Sequence, residues 1–230
     1  MLADIGGIPM LRRVLDGARM ATSLADVVLC TDSDEIAKHA RTWNVRVIMT
    51  SPDCASGSER IASVVDQIDA DVIINVQGDQ PFVNPRIIDS MCALFRDRVP
   101  TPDVVTPVYR LPKDKLANPD AVKVIVASDG RALYFSRAAV PFVRSSPAGD
   151  HATTQVHWGH VGMYGYRRQI LQRWASLPAS PLENAEKLEQ LRLLEHGISI
   201  HTYEIVAEAR NILSVDSPSD LEIARRLVTQ

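Results

Sequence analysis

The sequence predicts an α/β protein with a doubly wound, mostly parallel sheet and a smaller mixed α+β section. Three observations carry that class. Short β-branched runs alternate with helix-period segments over the first hundred residues, the pattern of parallel strands joined by crossover helices. After Pro100-Thr101-Pro102 the texture changes to short strand-like runs separated by turns. From residue 181 onward the chain returns to helix, strand and helix. The chain therefore divides into an α/β part, 1–103, a smaller mixed section, 104–180, and residues 181–230, which rejoin the core.

Each element has a local reason. Residues 9–21 place apolar side chains at Met10, Leu11, Val14, Leu15 and Ala18, a helical period. Residues 26–30 read as a strand ending at Thr31-Asp32, either of which is placed to cap a helix over 34–43. Residues 45–49 form the next strand, residues 57–68 a helix, and Val72-Ile73-Ile74 a buried strand. Beyond the prolines, residues 104–109, 122–127 and 132–135 are strand-like, the last two separated by the turn Ser128-Asp129-Gly130. Residues 178–181 break the chain, residues 182–196 read as one helix ended by Gly197, and residues 198–206 return as strand. Ser217-Pro218-Ser219-Asp220 starts a last helix.

Composition narrows the class of function. The chain has 230 residues, 46% hydrophobic and 23% charged, with a formal net charge of −3. That balance argues against a general nucleic-acid binder and leaves open a small anionic ligand, which needs only a local basic patch. Three cysteines, Cys30, Cys54 and Cys92, form no pairing or zinc pattern and suit a reducing compartment. Neither a membrane-spanning run nor a basic, apolar leader is evident, so a cytoplasmic protein is expected.

The polar constellations sit at element ends. Asn75-Val76-Gln77-Gly78-Asp79-Gln80-Pro81 puts a carboxylate just past the carboxyl end of a buried strand, the edge where open α/β sheets bind ligands. Asp79 is there either a ligand for a divalent cation or a turn residue capping the next helix. Ser56-Gly57-Ser58-Glu59-Arg60 opens a helix. Its small residues admit a ligand to the backbone and Arg60 offers a fork for phosphate or a base carbonyl, whereas the plainer alternative is an N-cap with a solvated Arg. Tyr134-Phe135-Ser136-Arg137 ends a strand on an Arg suited to a carboxylate, or to a salt bridge. The run from His157 to Tyr166 is rich in glycine and rings, a wall for a polyhydroxylated ligand or a packed strand. Its two histidines, His157 and His160, lack a third partner for a metal. Glu183, Glu186, Glu189 and Gln190 lie on the helix of 182–196; Glu186 and Glu189, three apart, share a face toward hydroxyl groups or toward water. Asp216, in Ser214-Val215-Asp216-Ser217-Pro218, is a second metal carboxylate or the cap of the last helix.

Taken together and in order, these segments resemble the 3-deoxy-manno-octulosonate (Kdo) cytidylyltransferases. The matching runs are Ala55-Ser56-Gly57-Ser58-Glu59-Arg60, Val76-Gln77-Gly78-Asp79-Gln80-Pro81, Asn118-Pro119-Asp120-Ala121-Val122-Lys123, Ala132-Leu133-Tyr134-Phe135-Ser136-Arg137, His160-Val161-Gly162-Met163-Tyr164-Gly165-Tyr166, Ser180-Pro181-Leu182-Glu183, Leu188-Glu189-Gln190-Leu191-Arg192 and Val215-Asp216-Ser217-Pro218. They span nearly the whole chain, and the ordered set is specific where any one run is weak. The resemblance implies a nucleotide-diphospho-sugar transferase-like fold and a homodimer formed largely through the middle section. It also implies transfer of CMP from CTP to a 3-deoxy sugar acid with Mg²⁺, for lipopolysaccharide synthesis. By that likeness Asp79 and Asp216 hold Mg²⁺, with Lys123 counted among the catalytic groups. Ser56, Gly57 and Arg60 face the cytidine; Gln77, Arg137, His160, Tyr164, Glu189 and Gln190 face the sugar, Arg137 near its carboxylate. The same chemistry on sialic acid or an 8-amino analogue, and a non-catalytic sugar-binding paralogue, are the alternatives. The resemblance departs at the start. The family opens with a strand and a loop, roughly Ile-Pro-Ala-Arg then Ser-x-Arg-Leu-Pro-Gly-Lys, that cradles the triphosphate. This chain begins Met1-Leu2-Ala3-Asp4-Ile5-Gly6-Gly7-Ile8-Pro9-Met10, which matches the family's segment just after that loop. The expectation is that the natural protein starts upstream, because without a central strand its flanking strands keep open edges.

Overall fold

The helix period over residues 9–21 becomes α1 (Met10–Arg19), and Met10, Leu11, Val14, Leu15 and Ala18 are all buried. The structure, a computed structural model, describes residues 1–144, 156–206 and 208–228. Ahead of α1 a small hairpin, β1 (Asp4–Ile5) and β2 (Ile8–Pro9), turns through Gly6 and Gly7, both at positive φ.

Strand β3 (Val28–Thr31), helix α2 (Asp34–Thr42) and strand β4 (Arg46–Met49) form a βαβ unit with β3 and β4 parallel. The cap of α2 is Ser33, whose hydroxyl accepts from the Ile36 N–H, rather than Thr31 or Asp32. Thr31 instead accepts from the Ser33 N–H and shapes the turn into the helix. Helix α3 (Gly57–Ala62) is half the predicted length, and a 3₁₀ turn at Val65–Gln67 comes after it. The Ser63 hydroxyl bonds back to the Arg60 carbonyl, a local competitor to further helix. Strand β5 (Val72–Asn75) comes next, then α4 (Pro85–Asp97), unassigned from the sequence, which is capped by Asn84 with proline in its first turn.

The middle section supplies β6 (Val104–Arg110), β7 (Lys123–Val126), β8 (Ala132–Ser136), β9 (Trp158–His160) and β10 (Tyr164–Arg167), succeeded by α5 (Arg168–Trp174). The predicted helix over 182–196 is two helices, α6 (Pro181–Glu186) and α7 (Gln190–Glu195). Lys187 adopts the left-handed conformation at φ 54°, which ends α6 and redirects the chain. A capping box of Ser180 and Glu183 fixes the start of α6, and a two-pronged Arg192–Glu183 ion pair ties α7 to it. Strand β11 (Ile200–Glu204) and helix α8 (Pro218–Val228) complete the chain.

One seven-stranded sheet runs β5-β10-β6-β9-β7-β8, with β11 also on β6. Only β6 and β11 pair parallel within it; the other pairings are antiparallel. The α/β class holds, while this sheet is mixed because β10 and β9 insert beside β5 and β6 with reversed direction. Its main core joins Val104, Phe135, Tyr166, Trp174, Leu191 and Ile200.

The β3–β4 ribbon is a separate sheet. Strands β3 and β5 both line a cavity of about 570 Å³ that is roofed by Leu11, Val14, Leu15 and Ala18 of α1. Among the described residues β3 pairs with β4 alone and β5 with β10 alone, so each keeps one unpaired edge.

Candidate active site

Strand β5 carries the chain to Asn75, and residues 76–80 then turn at its carboxyl end. The turn closes on a Gln80 N–H to Gln77 carbonyl bond and is pinned by the buried Gln80 side chain, which donates to the Val161 carbonyl at 2.7 Å. The Val215 N–H donates to the Asp79 carbonyl at 2.9 Å, which brings the segment before α8 alongside this turn. Asp79 and Asp216 therefore meet, although 137 positions separate them in the sequence. Burial, then the charge of Asp216, raise the pKa of Asp79 above its ordinary value, against the pull of a hydrogen bond from Ser214. The Asp79 Oδ1 atom is buried and unpartnered.

The cap of α8 falls to other groups. Asp220 Oδ2 accepts from the Ser217 N–H and hydroxyl, and Ser217 Oγ accepts from the Asp220 N–H. The capping alternative for Asp216 is thus taken by Ser217 and Asp220. A buried carboxylate oxygen without a partner, beside a second carboxylate, is a donor set that fits a hard divalent cation. Among the described residues no cluster of three or more His, Cys, Asp or Glu side chains forms a closed cage.

The start of α3 faces the same sheet edge. Ser56 is its N-cap, its hydroxyl accepting from the Glu59 N–H, as the plainer alternative has it. Gly57 abuts Gln77: a Cβ there would sit 3.0 Å from both side-chain amide atoms, so a larger residue would push the Gln77 side chain aside. Arg60 is not simply solvated. Its Nη1 meets Asp32 at 3.2 Å and donates to the Thr50 hydroxyl, locking α3 to the ends of β3 and β4.

On the ligand side Glu186 and Glu189 do not share a face, because the break at Lys187 separates them. Glu186 accepts from the Ser136 hydroxyl, the Arg137 N–H and Tyr134. Burial alone raises its carboxyl, but these donors outweigh it and the net pKa lies below the ordinary carboxylate value. Arg137 itself donates from Nε to the Glu186 carbonyl and from Nη1 to the Pro119 carbonyl, so its guanidinium plane is fixed. Among the described residues its guanidinium meets backbone carbonyls, not the carboxylate of the salt-bridge alternative. Lys123 is fully buried, and its Nζ donates to the carbonyls of Asn118 and Arg137; burial lowers its pKa. This geometry ties Lys123 to the loop that carries Arg137.

His160 and Tyr164 lie side by side with ring centroids 5.1 Å apart. Thr106 gives its proton to the Met163 carbonyl and so accepts from His160 Nε2 at 2.9 Å, which leaves Nδ1 as acceptor. Burial pushes the His160 pKa down to about 3, so the ring is neutral. His157 bonds the Pro141 carbonyl, away from His160. Gln190 is buried with its Nε2 unpartnered, a second orphaned polar atom among the expected ligand contacts.

Sequence reasoning read Ser58 and Asp32 only as caps and gave no individual role to Asn75, Tyr166 or Thr106. The end of an apolar strand at Asn75 and the ring-rich run that holds Tyr166 were the available signals.

The sequence profile described as cytidylyltransferase matches residues 1–200. The 3-deoxy-manno-octulosonate cytidylyltransferase of Acidobacterium capsulatum is 42% identical over 231 residues, covering 100% of this chain and 90% of that protein. The protein of that name from Escherichia coli is 37% identical, covering 100% and 89%. A solved structure described as CMP:2-keto-3-deoxy-manno-octonic acid synthetase complexed with CTP superposes with a TM-score of 0.90 at 37% identity, over 100% of this chain and 91% of that one. A 4-diphosphocytidyl-2C-methyl-D-erythritol synthase from Anaerococcus prevotii, 12% identical with a TM-score of 0.64, shares the fold alone.

Proposed function

This chain belongs to the 3-deoxy-manno-octulosonate cytidylyltransferase family, and we propose that it makes CMP-Kdo from CTP and 3-deoxy-D-manno-octulosonate (Kdo), releasing pyrophosphate. The anomeric hydroxyl oxygen of the sugar acid bonds to the α-phosphorus of CTP. The bond from that phosphorus to the bridging oxygen breaks, pyrophosphate leaves with the electron pair, and the hydroxyl proton passes to solvent. Such transfers rest on positioning and charge neutralisation.

The observation that carries this reading is the meeting of Asp79 and Asp216 at the carboxyl end of β5, with a buried carboxylate oxygen left unpartnered. Asp79 and Asp216 would hold Mg²⁺, which when bound supplies positive charge against the phosphates and lowers the barrier to attack. Ser56 and Gly57 leave room for the cytidine, with Arg60 held beside them by Asp32. Arg137, with Nε and Nη1 tied to carbonyls, turns its remaining side to the sugar carboxylate. Neutral His160, Tyr164, Gln77, Glu189 and Gln190 present hydrogen-bonding groups to the sugar.

The product serves lipopolysaccharide synthesis, and the protein works as a cytoplasmic homodimer. Free thiols at Cys30, Cys54 and Cys92 agree with a reducing compartment, and no described helix is long and apolar enough to cross a membrane. Large exposed apolar side chains of the middle section, Leu133, Phe142 and Val156, are 57%, 79% and 42% exposed and support a contact there.

The test is pyrophosphate release from CTP, Mg²⁺ and Kdo, with sialic acid as the comparison sugar. Kdo-dependent release is expected, and Asp216→Asn is expected to lower kcat by about 100-fold or more, on the scale of lost electrostatic stabilisation. Release that is equal with either sugar, or unchanged in the variant, overturns the reading.

A further inference from the structure

One buried side chain joins the nucleotide-side and sugar-side elements, and nothing in the reaction just described uses it. Ser58, in the first turn of α3, is fully buried. Its hydroxyl lies 2.7 Å from Glu189 Oε1, 2.8 Å from the Tyr166 hydroxyl and 3.3 Å from Asn75 Nδ2. Its backbone N–H donates to the other Glu189 oxygen at 3.3 Å. Four elements meet at this one oxygen: the end of β5, the start of α3, strand β10 and the lead into α7.

The donor inventory sets the proton directions. An ionised carboxylate only accepts, and a serine hydroxyl has a single proton. That proton goes to Glu189, so Tyr166 and Asn75 must both donate to Ser58. Tyr166 suits that part, because burial, then the charge of Glu189, raise its pKa well above the ordinary tyrosine value and keep its proton in place. Ser58 then accepts two bonds and donates one, and its capacity is filled. Glu189 receives both of its bonds from Ser58 and is left half-buried with unused lone pairs. It is thereby held as a pure acceptor.

We propose that Ser58 is a positioning residue for sugar-acid recognition: it fixes the Glu189 carboxylate toward the pocket as an acceptor for a ligand hydroxyl. The proposal rests on the assignment of Glu189 to the sugar in the preceding subsection. It deepens that assignment by placing the control of a sugar contact on the helix that opens the nucleotide side. The break at Lys187 makes the arrangement possible, because it turns Glu189 away from Glu186 and toward α3.

Steady-state kinetics on the full chain tests it with Ser58→Ala, Ser58→Thr and Ser58→Cys, beside binding of Kdo measured by calorimetry. Loss of a hydrogen bond to a charged group predicts a rise of about tenfold in the KM and Kd for Kdo in Ser58→Ala. The KM for CTP is expected to stay within about threefold, and Ser58→Thr, which keeps the hydroxyl, restores Kdo binding. Ser58→Cys preserves volume with a weak donor and falls between, which keeps the test available if the alanine variant does not fold. A folded Ser58→Ala or Ser58→Cys variant with Kdo constants within twofold of the parent overturns the proposal. So does an equal loss for CTP and Kdo, since that marks a merely structural role. A parent chain that releases pyrophosphate with another sugar acid but not with Kdo overturns the assigned substrate instead; the same variants read with that sugar acid then decide the role of Ser58. A parent that binds no sugar acid at all overturns both.

Discussion

At the scale of single residues, the site is a set of groups held against their own preferences. Asp79 is the clearest. Its carboxyl is raised by burial and by Asp216, so the folded protein binds a proton more readily than the unfolded chain does. Stability therefore falls as pH rises from the unfolded value near 3.8, and the cost is fully present once Asp79 is ionised. Asp79→Asn is expected to raise the melting temperature at neutral pH by roughly 2–4 °C and to abolish activity, the trade between stability and function seen at strained sites. Mg²⁺ is expected to raise the melting temperature of the parent and to leave that of the variant unchanged, since an ion that binds only the folded state stabilises it. Calorimetry with and without the ion checks both; a variant no more stable than the parent refutes the account of Asp79 as a strained carboxylate.

At the scale of elements, the most consequential feature is the interruption between α6 and α7. Apolar periodicity runs through residues 182–196 without a glycine or proline, so the sequence reads as one helix. What ends α6 is tertiary. The Glu183–Arg192 pair and the buried side chains of Leu188 and Leu191 fix two short helices in different directions, and Lys187 accepts a left-handed backbone to allow it. A left-handed conformation costs a non-glycine residue about 1–2 kcal/mol. Lys187→Gly is expected to stabilise the fold by about 0.5–1 kcal/mol after the extra freedom of glycine in the unfolded chain is counted. Lys187→Val is expected to destabilise it, because a β-branched side chain tolerates positive φ poorly. Urea denaturation gives both signs, and a destabilising glycine variant shows the bend to be set otherwise.

At the scale of the whole molecule, the seven-stranded sheet and the β3–β4 ribbon border one open cavity. Strand β6 lies inside the large sheet, paired with β10, β9 and β11, whereas β3 and β5 each border the cavity. Amides of Val28–Thr31 and Val72–Asn75 are therefore expected to exchange hydrogen faster than those of Val104–Arg110. An apolar strand-forming segment joined ahead of Met1 is expected to slow that exchange if it enters the cavity between them. Hydrogen exchange read by mass spectrometry distinguishes these outcomes, and uniform protection across the three strands rules out the open-edge account.

Much of this was legible in the residues. The α/β class, α1, the βαβ unit of β3 and β4, the strand before Gln77-Gly78-Asp79 and the start of α8 all arise from periodicity, β-branching and caps, which act over one or two turns of chain. The candidate ligands were legible too, but through the ordered resemblance rather than through spacing, since each motif alone admits a plain structural role. The remainder needed the folded chain. Which carboxylate caps α8 and which is left beside Asp79, and that Lys123 supports a loop, depend on contacts between residues far apart in sequence. So do the separate partners of Glu186 and Glu189 and the joining of the two halves by Ser58. Local propensity acts along the chain and can be read there. Burial and charge act through space, and no residue's sequence neighbours reveal which distant group will desolvate or face it.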